Sequence, residues 1–286
     1  MAKVGIIGGS GLYNIDGIEK VKEIEVSTPF GSPSDKIVTG VISGVEVAFL
    51  PRHGKGHRLN PSEINYCANI FAMKKLGVEQ IMSLSACGSL KQEYKPMDFM
   101  LPDQFVDRTN QARSMTFFRG GIVGHIAFAH PVCEDLSDII YKTAKSFGLT
   151  IHKGGTYINM EGPAFSTLAE SNLYRSWGMD IIGMTNMAEA RLAREAEICY
   201  STLAAVTDYD CWHETAETVS VEMIIGYLNK NVANAKKIIR EVIPKLPRKR
   251  SCPCKDALKY ALITVKEAIP QKVKKDLNII IGKYVK

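Results

Sequence analysis

The sequence contains no run of apolar residues that approaches the ~18 needed for a membrane-spanning helix. Its N-terminus, Met1-Ala2-Lys3-Val4-Gly5, has no signal-peptide cleavage pattern and leads directly into a strand. These two absences argue against a membrane-embedded or secreted protein and favour a soluble protein of the cytoplasm. Hydrophobic residues make up 45% of the chain and charged residues 23%, which is ordinary for a globular protein.

Concentrated positive charge is also missing. The net charge is +6, and it is spread along 286 residues. A nucleic-acid-binding surface usually has a stronger basic bias, with aromatic residues among the charges. Solvated faces explain the two densest basic clusters, so we expect no nucleic-acid partner. The clusters are Arg248-Lys249-Arg250 and the group Lys272, Lys274 and Lys275.

The cysteines lack any C-x-x-C pair or His-Cys cluster with zinc-ligand spacing, so local spacing predicts no metal site. Cys252 and Cys254, on either side of Pro253, could form a strained disulfide or remain free thiols. We favour the disulfide as a hypothesis, because intracellular disulfides occur in hyperthermophiles. The seven cysteines are Cys67, Cys87, Cys133, Cys199, Cys211, Cys252 and Cys254.

Strand and helix patterns alternate along the chain, without a long linker or a repeat. This alternation predicts an α/β fold with a largely parallel sheet and one domain spanning residues 1–286. Asn60-Pro61-Ser62-Glu63 is typical of a helix start. The Ile-rich tail, residues 278–286, is expected to form an edge strand or to lie on a neighbouring subunit. Strands are predicted at 4–7, 36–39, 45–50, 80–85, 180–184 and 199–207, and helices from 60, over 133–147 and 168–177, from 188, and over 221–242.

The predicted strand over 199–207 ends on two carboxylates, Asp208 and Asp210. Because side chains alternate along a strand, the two acids would project to the same side if extension continued that far. Open α/β sheets place ligand chemistry at the carboxyl ends of their strands. A neighbouring carboxylate and partial burial would raise the pKa of Asp208 and make it a usable acid. The alternative is a solvated turn, where Asp is common.

Three other polar segments follow predicted strands: Gly8-Gly9-Ser10-Gly11, Arg52-His53 and Ser85-Ala86-Cys87-Gly88-Ser89. The first fails the dinucleotide fingerprint and lacks the Gly-Lys-Ser/Thr ending of a nucleoside-triphosphate loop. Arg is the natural partner of a phosphate oxygen pair, and His can add a donor. In a parallel sheet the three segments would meet at one edge and form a site for a small anion. Taken singly, they could equally be tight turns and a surface Arg-His pair.

Two further segments offer contacts for a planar ring. Phe165 and Ser166 supply an aromatic face and a hydroxyl, and Met184-Thr185 closes a predicted strand. Together with the two aspartates they could hold a heterocycle by stacking and hydrogen bonds. Taken singly, Phe165 and Met184 could equally be core residues.

Eight segments, in order, resemble the 5′-methylthioadenosine phosphorylases, within the trimeric purine nucleoside phosphorylase family. The resemblance runs from Gly5 to about Pro244, and residues 248–286 do not match the pattern. It implies a single-domain α/β nucleoside-phosphorylase-like fold with a central, mostly parallel or mixed, twisted sheet flanked by helices. The segments are GIIGGSGL (5–12), TPFGSPSD (28–35), RHGKGH (52–57), SACGSL (85–90), DQFVDRT (103–109), EGPAFST (161–167), WGMDIIGMTNMAEA (177–190) and TDYDCW (207–212).

The resemblance implies that phosphate displaces adenine from 5′-methylthioadenosine and yields 5-methylthioribose 1-phosphate. Phosphate is then a co-substrate, and neither a cofactor nor a metal is expected. Implied phosphate contacts are Ser10, Arg52, His53, Ser85, Ala86 and Thr185, with Ser at positions 10 and 85 where the family often has Thr. Implied base contacts are Phe165, Ser166, Asp208 and Asp210. Implied ribose and methylthio contacts are Met184, His57, Val221, Ile224, Ile225 and, from a neighbouring subunit, His125.

In this scheme Asp208 is the acid that assists N7 of the leaving adenine, and Asp210 accepts a hydrogen bond from the exocyclic amine. The family also implies a homotrimer or a hexamer built as a dimer of trimers. One alternative is a purine nucleoside phosphorylase that also accepts adenosine, inosine and guanosine. Another is a nucleotide-binding module that has lost catalysis.

Overall fold

The computed structural model describes residues 3–9, 17–110, 113–213 and 220–285. The strands are β1 (Val4–Gly8), β2 (Glu19–Ile24), β3 (Ile37–Ile42), β4 (Val45–Pro51), β5 (Gln80–Ser89), β6 (Phe99–Leu101), β7 (Gln104–Arg108), β8 (Ile151–Lys153), β9 (Thr156–Met160), β10 (Ile181–Gly183) and β11 (Cys199–Asp208). The helices are α1 (Tyr66–Lys75), α2 (Glu134–Ser146), α3 (Leu168–Ser176), α4 (Asn186–Glu195), α5 (Val221–Val242), α6 (Gln271–Asp276) and α7 (Asn278–Ile281). Short 3-10 helices lie at Ile243–Lys245, Pro253–Asp256 and Lys266–Ala268.

The eleven strands of the described residues belong to one mixed sheet, whose main path runs β2-β3-β4-β1-β5-β10-β9-β7. Strand β5 lies at its centre, parallel to β1 and β11 and antiparallel to β10. Strands β1, β5 and β11 are almost continuously buried, as expected where helices cover both faces of a parallel region. The α/β fold with a mixed sheet flanked by helices is therefore confirmed.

Alternate residues of the central strands face two different helix layers. Ile7 and Ile81 pack in a core shared with α1, α4 and the C-terminal segment. Ile6 and Met82 pack on the opposite face against α2 and α5. Because side chains alternate between the two faces, the helices cover the side chains of both faces along these strands. Residues at the strand ends remain available to form a site.

The predicted helix start at Asn60 is wrong. The Asn60 side chain accepts hydrogen bonds from the backbone N–H groups of Ser62 and Glu63, at 2.9 and 3.1 Å, but it closes a turn. Helix α1 begins only at Tyr66, where the side chain of Asn65 accepts from the N–H of Ala68. The same capping chemistry thus occurs twice within six residues, and only the second instance precedes a helix.

The expectation that the C-terminal tail forms an edge strand is wrong. Residues 278–281 form α7, which packs against α1 of the same chain. Ile280 and Ile281 pack into the hydrophobic core of this chain and are 3% and 0% exposed. None of the helices in the described part of the chain is both long and apolar enough to cross a membrane.

Candidate active site

The carboxyl ends of β1, β4, β5 and β11 lie side by side. Gly8 is paired with Pro51, and the N–H of Arg52 donates to the carbonyl of Gly8 at 2.9 Å. Asp208 is paired with Gly88 across β11 and β5. The parallel register thus brings the Arg52-His53 and Ser85–Ser89 segments to one edge of the sheet, as predicted. Ser10, the remaining candidate from the glycine turn, lies outside the described residues.

Arg52 is fully enclosed, with only 1% of its surface exposed. Its guanidinium forms a two-pronged ion pair with Glu189, through Nε to Oε1 and through Nη2 to Oε2. Nη1 donates to the carbonyl of Leu84 at 3.1 Å, and Nη2 donates to Oγ of Ser83 at 2.5 Å. Burial acts to lower the pKa of Arg52, but the charge of Glu189 outweighs it and keeps that pKa above its usual value. Four of the five guanidinium hydrogens have these partners, and among the described residues the second hydrogen on Nη1 has none.

A hydrogen-bond network extends this pair towards the predicted phosphate residues. Asn186, in the first turn of α4, accepts at Oδ1 from Ser85 Oγ at 2.9 Å. Its amide nitrogen donates to the hydroxyls of Tyr200 and Thr202, both at 2.9 Å. Tyr200 in turn donates to Glu189 at 2.8 Å. Ser85 and Arg52 are therefore held by one continuous polar network.

Two more predicted phosphate residues lie at this edge. Thr185 is 4% exposed and directly precedes α4, where its hydroxyl approaches Asn186 Oδ1 at 3.5 Å. Ala86 is half-buried beside Ser85 and is paired with Ala205 of β11. A helix N-terminus beside a serine and a threonine hydroxyl is well suited to an anion.

His53 is held as a neutral ring. Burial, with a further contribution from the charge of Arg52, lowers its pKa to about 4. Nδ1 lies 2.8 Å from the carbonyl of Leu59, so Nδ1 carries the proton of the neutral ring and Nε2 offers a lone pair. His53 is therefore suited to accept from a phosphate hydroxyl, which differs from the donor role expected from sequence. His57 stacks on it, with ring centroids 4.1 Å apart.

The two aspartates occupy a tight turn at the end of β11. Asp210 has a φ of +53°, so the strand does not continue and the alternation expected from sequence does not apply. The turn instead folds back, and the N–H of Asp210 donates to Oδ1 of Asp208 at 2.8 Å. Both side chains remain 7% exposed. The two acids thus meet for a reason different from the predicted one.

Burial is the main cause that raises the pKa of Asp208 above its usual value. The Thr207 hydroxyl, which lies 2.7 Å from Oδ2, and the Asp210 amide act in the opposite direction. The charge of Asp210 adds only a smaller upward contribution. Burial also raises the pKa of Asp210. Exclusion of water is therefore the main cause of both upward shifts, and for Asp208 the charge of Asp210 contributes less.

Gly88 is needed for this packing. A Cβ atom at position 88 would lie 2.9 Å from Oδ1 of Asp208 and 3.0 Å from Ile182. The missing side chain therefore lets the carboxylate approach β5 directly.

Arg113 connects two segments of the site. One begins at Glu161 and carries the predicted base contacts, and the other contains Met184. The Arg113 guanidinium donates to the backbone carbonyls of Met184 and Glu161 and, from Nε, to the Glu161 carboxylate at 3.2 Å. Met184 is half-buried against Gly162. Ser166 is also half-buried, and its carbonyl lies 3.5 Å from the sulfur of Cys211, which follows Asp210.

Other predicted contacts lie on the exposed surface of the single chain. Phe165 is 49% exposed, and Val221 and Ile225 at the start of α5 are 58% and 50% exposed. Ile224 is half-buried, whereas His57 and His125 are exposed. The structure does not bring this set into the buried centre that contains Arg52 and Asp208.

The cysteines differ from the disulfide expected from sequence. All seven are free, and Cys252 and Cys254 do not form the predicted disulfide. They instead direct their sulfurs towards Cys133 and Cys199, so that all four sulfurs lie within 4.8 Å of one another. Local spacing predicts no metal site. Spacing cannot detect this cluster, because its four residues come from three distant parts of the chain.

Sequence reasoning missed Ser83, Asn186, Glu189, Tyr200 and Arg113. A weak signal existed for two of them, because Asn186 and Glu189 lie three residues apart and therefore on one face of the predicted helix. Their partners on β5 and β11 cannot be read from local sequence.

The site combines an edge of the sheet suited to an anion with two buried acids at the end of β11. The edge of the sheet has a buried cation, hydroxyls and a helix N-terminus, and the pair of acids can supply a proton. A reaction that joins an anion to one side of a substrate while protonating a leaving group on the other would fit this geometry.

Residues 3–244 match the sequence model of the phosphorylase superfamily. The chain is 59% identical over 282 residues to S-methyl-5′-thioadenosine phosphorylase of Geobacter sulfurreducens, with 99% of each chain covered. It is 54% identical over 283 residues to the protein of the same name from Koribacter versatilis, covering 99% of this chain and 97% of that one. The C-terminal segment that matched no known pattern in the sequence is therefore shared with these relatives.

Solved structures agree with this similarity. A methylthioadenosine phosphorylase sourced from an antarctic soil metagenomic library has a TM-score of 0.93 at 46% identity, with 98% of each chain covered. A variant adenosine/methylthioadenosine phosphorylase from Schistosoma mansoni, in complex with methylthioadenosine, has a TM-score of 0.84 at 35% identity, with 96% of this chain and 100% of that chain covered. The chain belongs to the phosphorylase superfamily.

Proposed function

We propose that this protein catalyses the phosphorolysis of 5′-methylthioadenosine to adenine and 5-methylthioribose 1-phosphate. Relatives that share 48–59% of its residues over nearly the whole chain carry the name of that enzyme. The structural observation that carries the proposal is the buried Asp208, packed against Gly88 only two residues beyond Ala86 on β5. An acid for the leaving base therefore lies close to the anion-binding edge.

Phosphate is proposed to bind at the ends of β5 and β4 and at the start of α4. Ser85 and Thr185 would turn their hydroxyl hydrogens from Asn186 Oδ1 to the phosphate. The half-buried Ala86 would donate its N–H, and Arg52 would use its remaining Nη1 hydrogen. His53 would accept from the phosphate hydroxyl at Nε2. The attacking phosphate would also offset the positive charge that develops on the ribosyl ring. Ser10 belongs to the same proposed set, and neither a metal nor a cofactor is proposed for this reaction.

Adenine is proposed to lie between Phe165 and the Asp208–Asp210 turn. Asp208 would protonate or hydrogen-bond N7 as the glycosidic bond breaks, because its buried carboxyl keeps a proton more readily than an exposed one. Asp210 would accept from the exocyclic amine, and Ser166 would contribute a further polar contact. An acceptor at this position favours 6-amino over 6-oxo purines.

The sugar is proposed to pack on Met184, with the methylthio group near His57, Val221, Ile224 and Ile225. Val221 and Ile225 are exposed in the single chain, so a neighbouring copy would be needed to enclose them and to contribute His125. We therefore propose a homotrimer or a dimer of trimers, with each 286-residue chain forming one phosphorylase domain. An apolar pocket of this kind favours a thioether over a hydroxyl by a few kcal/mol at most.

Adenine release from 5′-methylthioadenosine, with and without phosphate, tests the proposal. We expect release only with phosphate and faster than from adenosine or inosine. Comparable rates with inosine would replace the proposal with a broad purine nucleoside phosphorylase. Release without phosphate would indicate a hydrolase, and no release would favour a binding module.

A further inference from the structure

Four cysteine thiols meet at the end of the sheet opposite to the proposed active site. Cys199 is the first residue of β11 and Asp208 the last, so the two lie ~30 Å apart at ~3.3 Å per residue. The other three thiols belong to Cys133, which directly precedes α2, and to Cys252 and Cys254 at the start of the C-terminal segment. The catalytic scheme uses none of these groups.

We propose that Cys133, Cys199, Cys252 and Cys254 form a tetrathiolate site for one zinc ion. All four sulfurs lie within 4.8 Å of one another, and the cysteines are 1–8% exposed. Four thiolates at ~2.3 Å around tetrahedral zinc would be ~3.8 Å apart, so the sulfurs need only small shifts to reach that arrangement. A cluster of several iron atoms would require them to lie further apart.

Backbone hydrogen bonds fix two of the four ligand positions, and the other two lie at the start of a short helix. The N–H of Cys133 donates to the carbonyl of Tyr200 at 2.8 Å, and the N–H of Cys199 donates to the carbonyl of Glu79 at 3.0 Å. Cys252 directly precedes the short helix Pro253–Asp256, which contains Cys254. The convergence therefore arises from folded elements of three separate parts of the chain.

The surroundings also suit a negatively charged centre. One Zn²⁺ bound to four thiolates carries a net charge of −2, because binding releases the four thiol protons to solvent. Arg250 Nη1 lies 3.9 Å from Cys199 Sγ, and the same atom donates to the carbonyl of Glu197 at 2.7 Å. The N-terminus of α2, which carries a partial positive charge, begins at Cys133. Both features offset the charge of the proposed centre.

The proposed ion would attach the C-terminal segment to the rest of the molecule. Beyond Cys254 this segment contributes Leu258, Ala261, Leu277 and Ile281 to the core that also contains α1 and α4. A structural zinc site with four protein ligands contributes directly to folding energy and leaves no open position for substrate. The ion would therefore stabilise the fold without taking part in the reaction.

The test measures metal content in protein purified under reducing conditions without chelators. We expect about one zinc per chain by elemental analysis, and loss of most of it in the Cys252→Ser/Cys254→Ser double variant. Cys67→Ser is the matched control, because Cys67 donates to the carbonyl of Ser114 at 3.3 Å and serine can keep that bond. The control should retain the zinc.

A second measurement does not depend on a variant that folds. Metal-free wild-type protein titrated with Co²⁺ should develop the thiolate-to-cobalt charge-transfer absorption of a tetrahedral site, with one equivalent per chain. Stoichiometric iron in place of zinc would overturn the proposal. Metal-free protein whose mass is lower by the hydrogens lost on disulfide formation would also overturn it. Cobalt binding without charge-transfer absorption would overturn it as well.

Discussion

Two pairs of buried ionisable residues lie at the same edge of the sheet, and the fold holds them in opposite ways. Arg52 and Glu189 form an ion pair whose polar atoms are almost all hydrogen-bonded to β5, β11 and each other. Asp208 and Asp210 are nearly as buried, yet within the described ranges no ion pair reaches either acid.

The difference shows how one site can be both rigid and reactive. A buried ion pair whose polar atoms are almost all hydrogen-bonded is costly to disturb, because removing one member leaves the other charge buried without a partner. Buried carboxyls without a cation have raised pKa values and gain a proton more easily, which is what acid catalysis needs. The first region positions the proposed phosphate contacts, and the second supplies the proposed proton.

The largest effect should follow from Glu189→Ala, which leaves Arg52 buried without its anion. We expect a loss of about 3–5 kcal/mol of unfolding free energy, because removing one member of a buried pair strands the other charge. Urea or thermal unfolding would measure the loss. Asp276→Asn is the matched control, since its pair with Lys272 is solvent-exposed and should contribute well under ~1 kcal/mol.

The double variant Arg52→Met/Glu189→Met sharpens this prediction. It removes both charges together, so we expect it to recover much of the stability that Glu189→Ala loses. If Glu189→Ala alone were as stable as the wild type, the ion pair would not be the structural centre described here.

The next effect should come from Asp208→Asn. We expect adenine release to slow by at least about 10²-fold, because an amide cannot supply the proton. Stability should change by less than ~1 kcal/mol, since no cation is left unpaired. The Thr207 hydroxyl can turn towards the carbonyl of Cys87, 3.2 Å away, and accept from the new amide. An unchanged rate, or a loss of stability as large as that of Glu189→Ala, would remove the contrast between the two regions.

Asp210→Asn should change specificity more than rate. The amide can donate to a 6-oxo group where the carboxylate accepts from a 6-amino group. We therefore expect the kcat/KM ratio of adenosine to inosine to fall by about 10–100-fold, which corresponds to one imperfectly matched buried hydrogen bond. Kinetics with both nucleosides at saturating phosphate would measure it, and a constant ratio would move Asp210 away from the base.

The smallest effect should come from Ser85→Ala. Loss of one hydroxyl should raise the KM for phosphate by about 3–10-fold and leave the KM for the nucleoside nearly unchanged. Ser146→Ala is the control, because its hydroxyl donates locally, to the carbonyl of Thr143 at 2.7 Å. Equal effects of Ser85→Ala on both KM values would place phosphate elsewhere.

The sequence allowed much of the sheet to be predicted, since β4, β5 and β11 are apolar runs whose ends are marked by turn residues. It also indicated the two acids, but for an incomplete reason. Alternation assumed an extended Asp210, whereas its positive φ and its N–H bond to Asp208 create the pair. Burial, which mainly raises the pKa of Asp208, is a property of tertiary structure and could only be guessed.

Long-range contacts limited the rest of the prediction. Glu189 stands 137 residues after Arg52, and no local pattern links them. No local pattern links Cys133, Cys199 and the Cys252–Cys254 segment either. Their proximity in the fold cannot be predicted from their separate positions in the sequence. The capping pattern at Asn60 correctly predicts side-chain hydrogen bonds but wrongly predicts the start of a helix. The helix begins instead after Asn65, whose side chain caps it.

The central claim is that a buried, uncompensated Asp208 supplies the proton for base departure. Single-turnover adenine release from 5′-methylthioadenosine at saturating phosphate, followed against pH in wild type and Asp208→Asn, tests it most directly. Because the pKa of Asp208 is raised above 3.8 and its protonated form is the acid, the wild-type rate should fall as pH rises through that pKa. The variant should be slow and lack this fall. Profiles of the same shape in both proteins would contradict the claim.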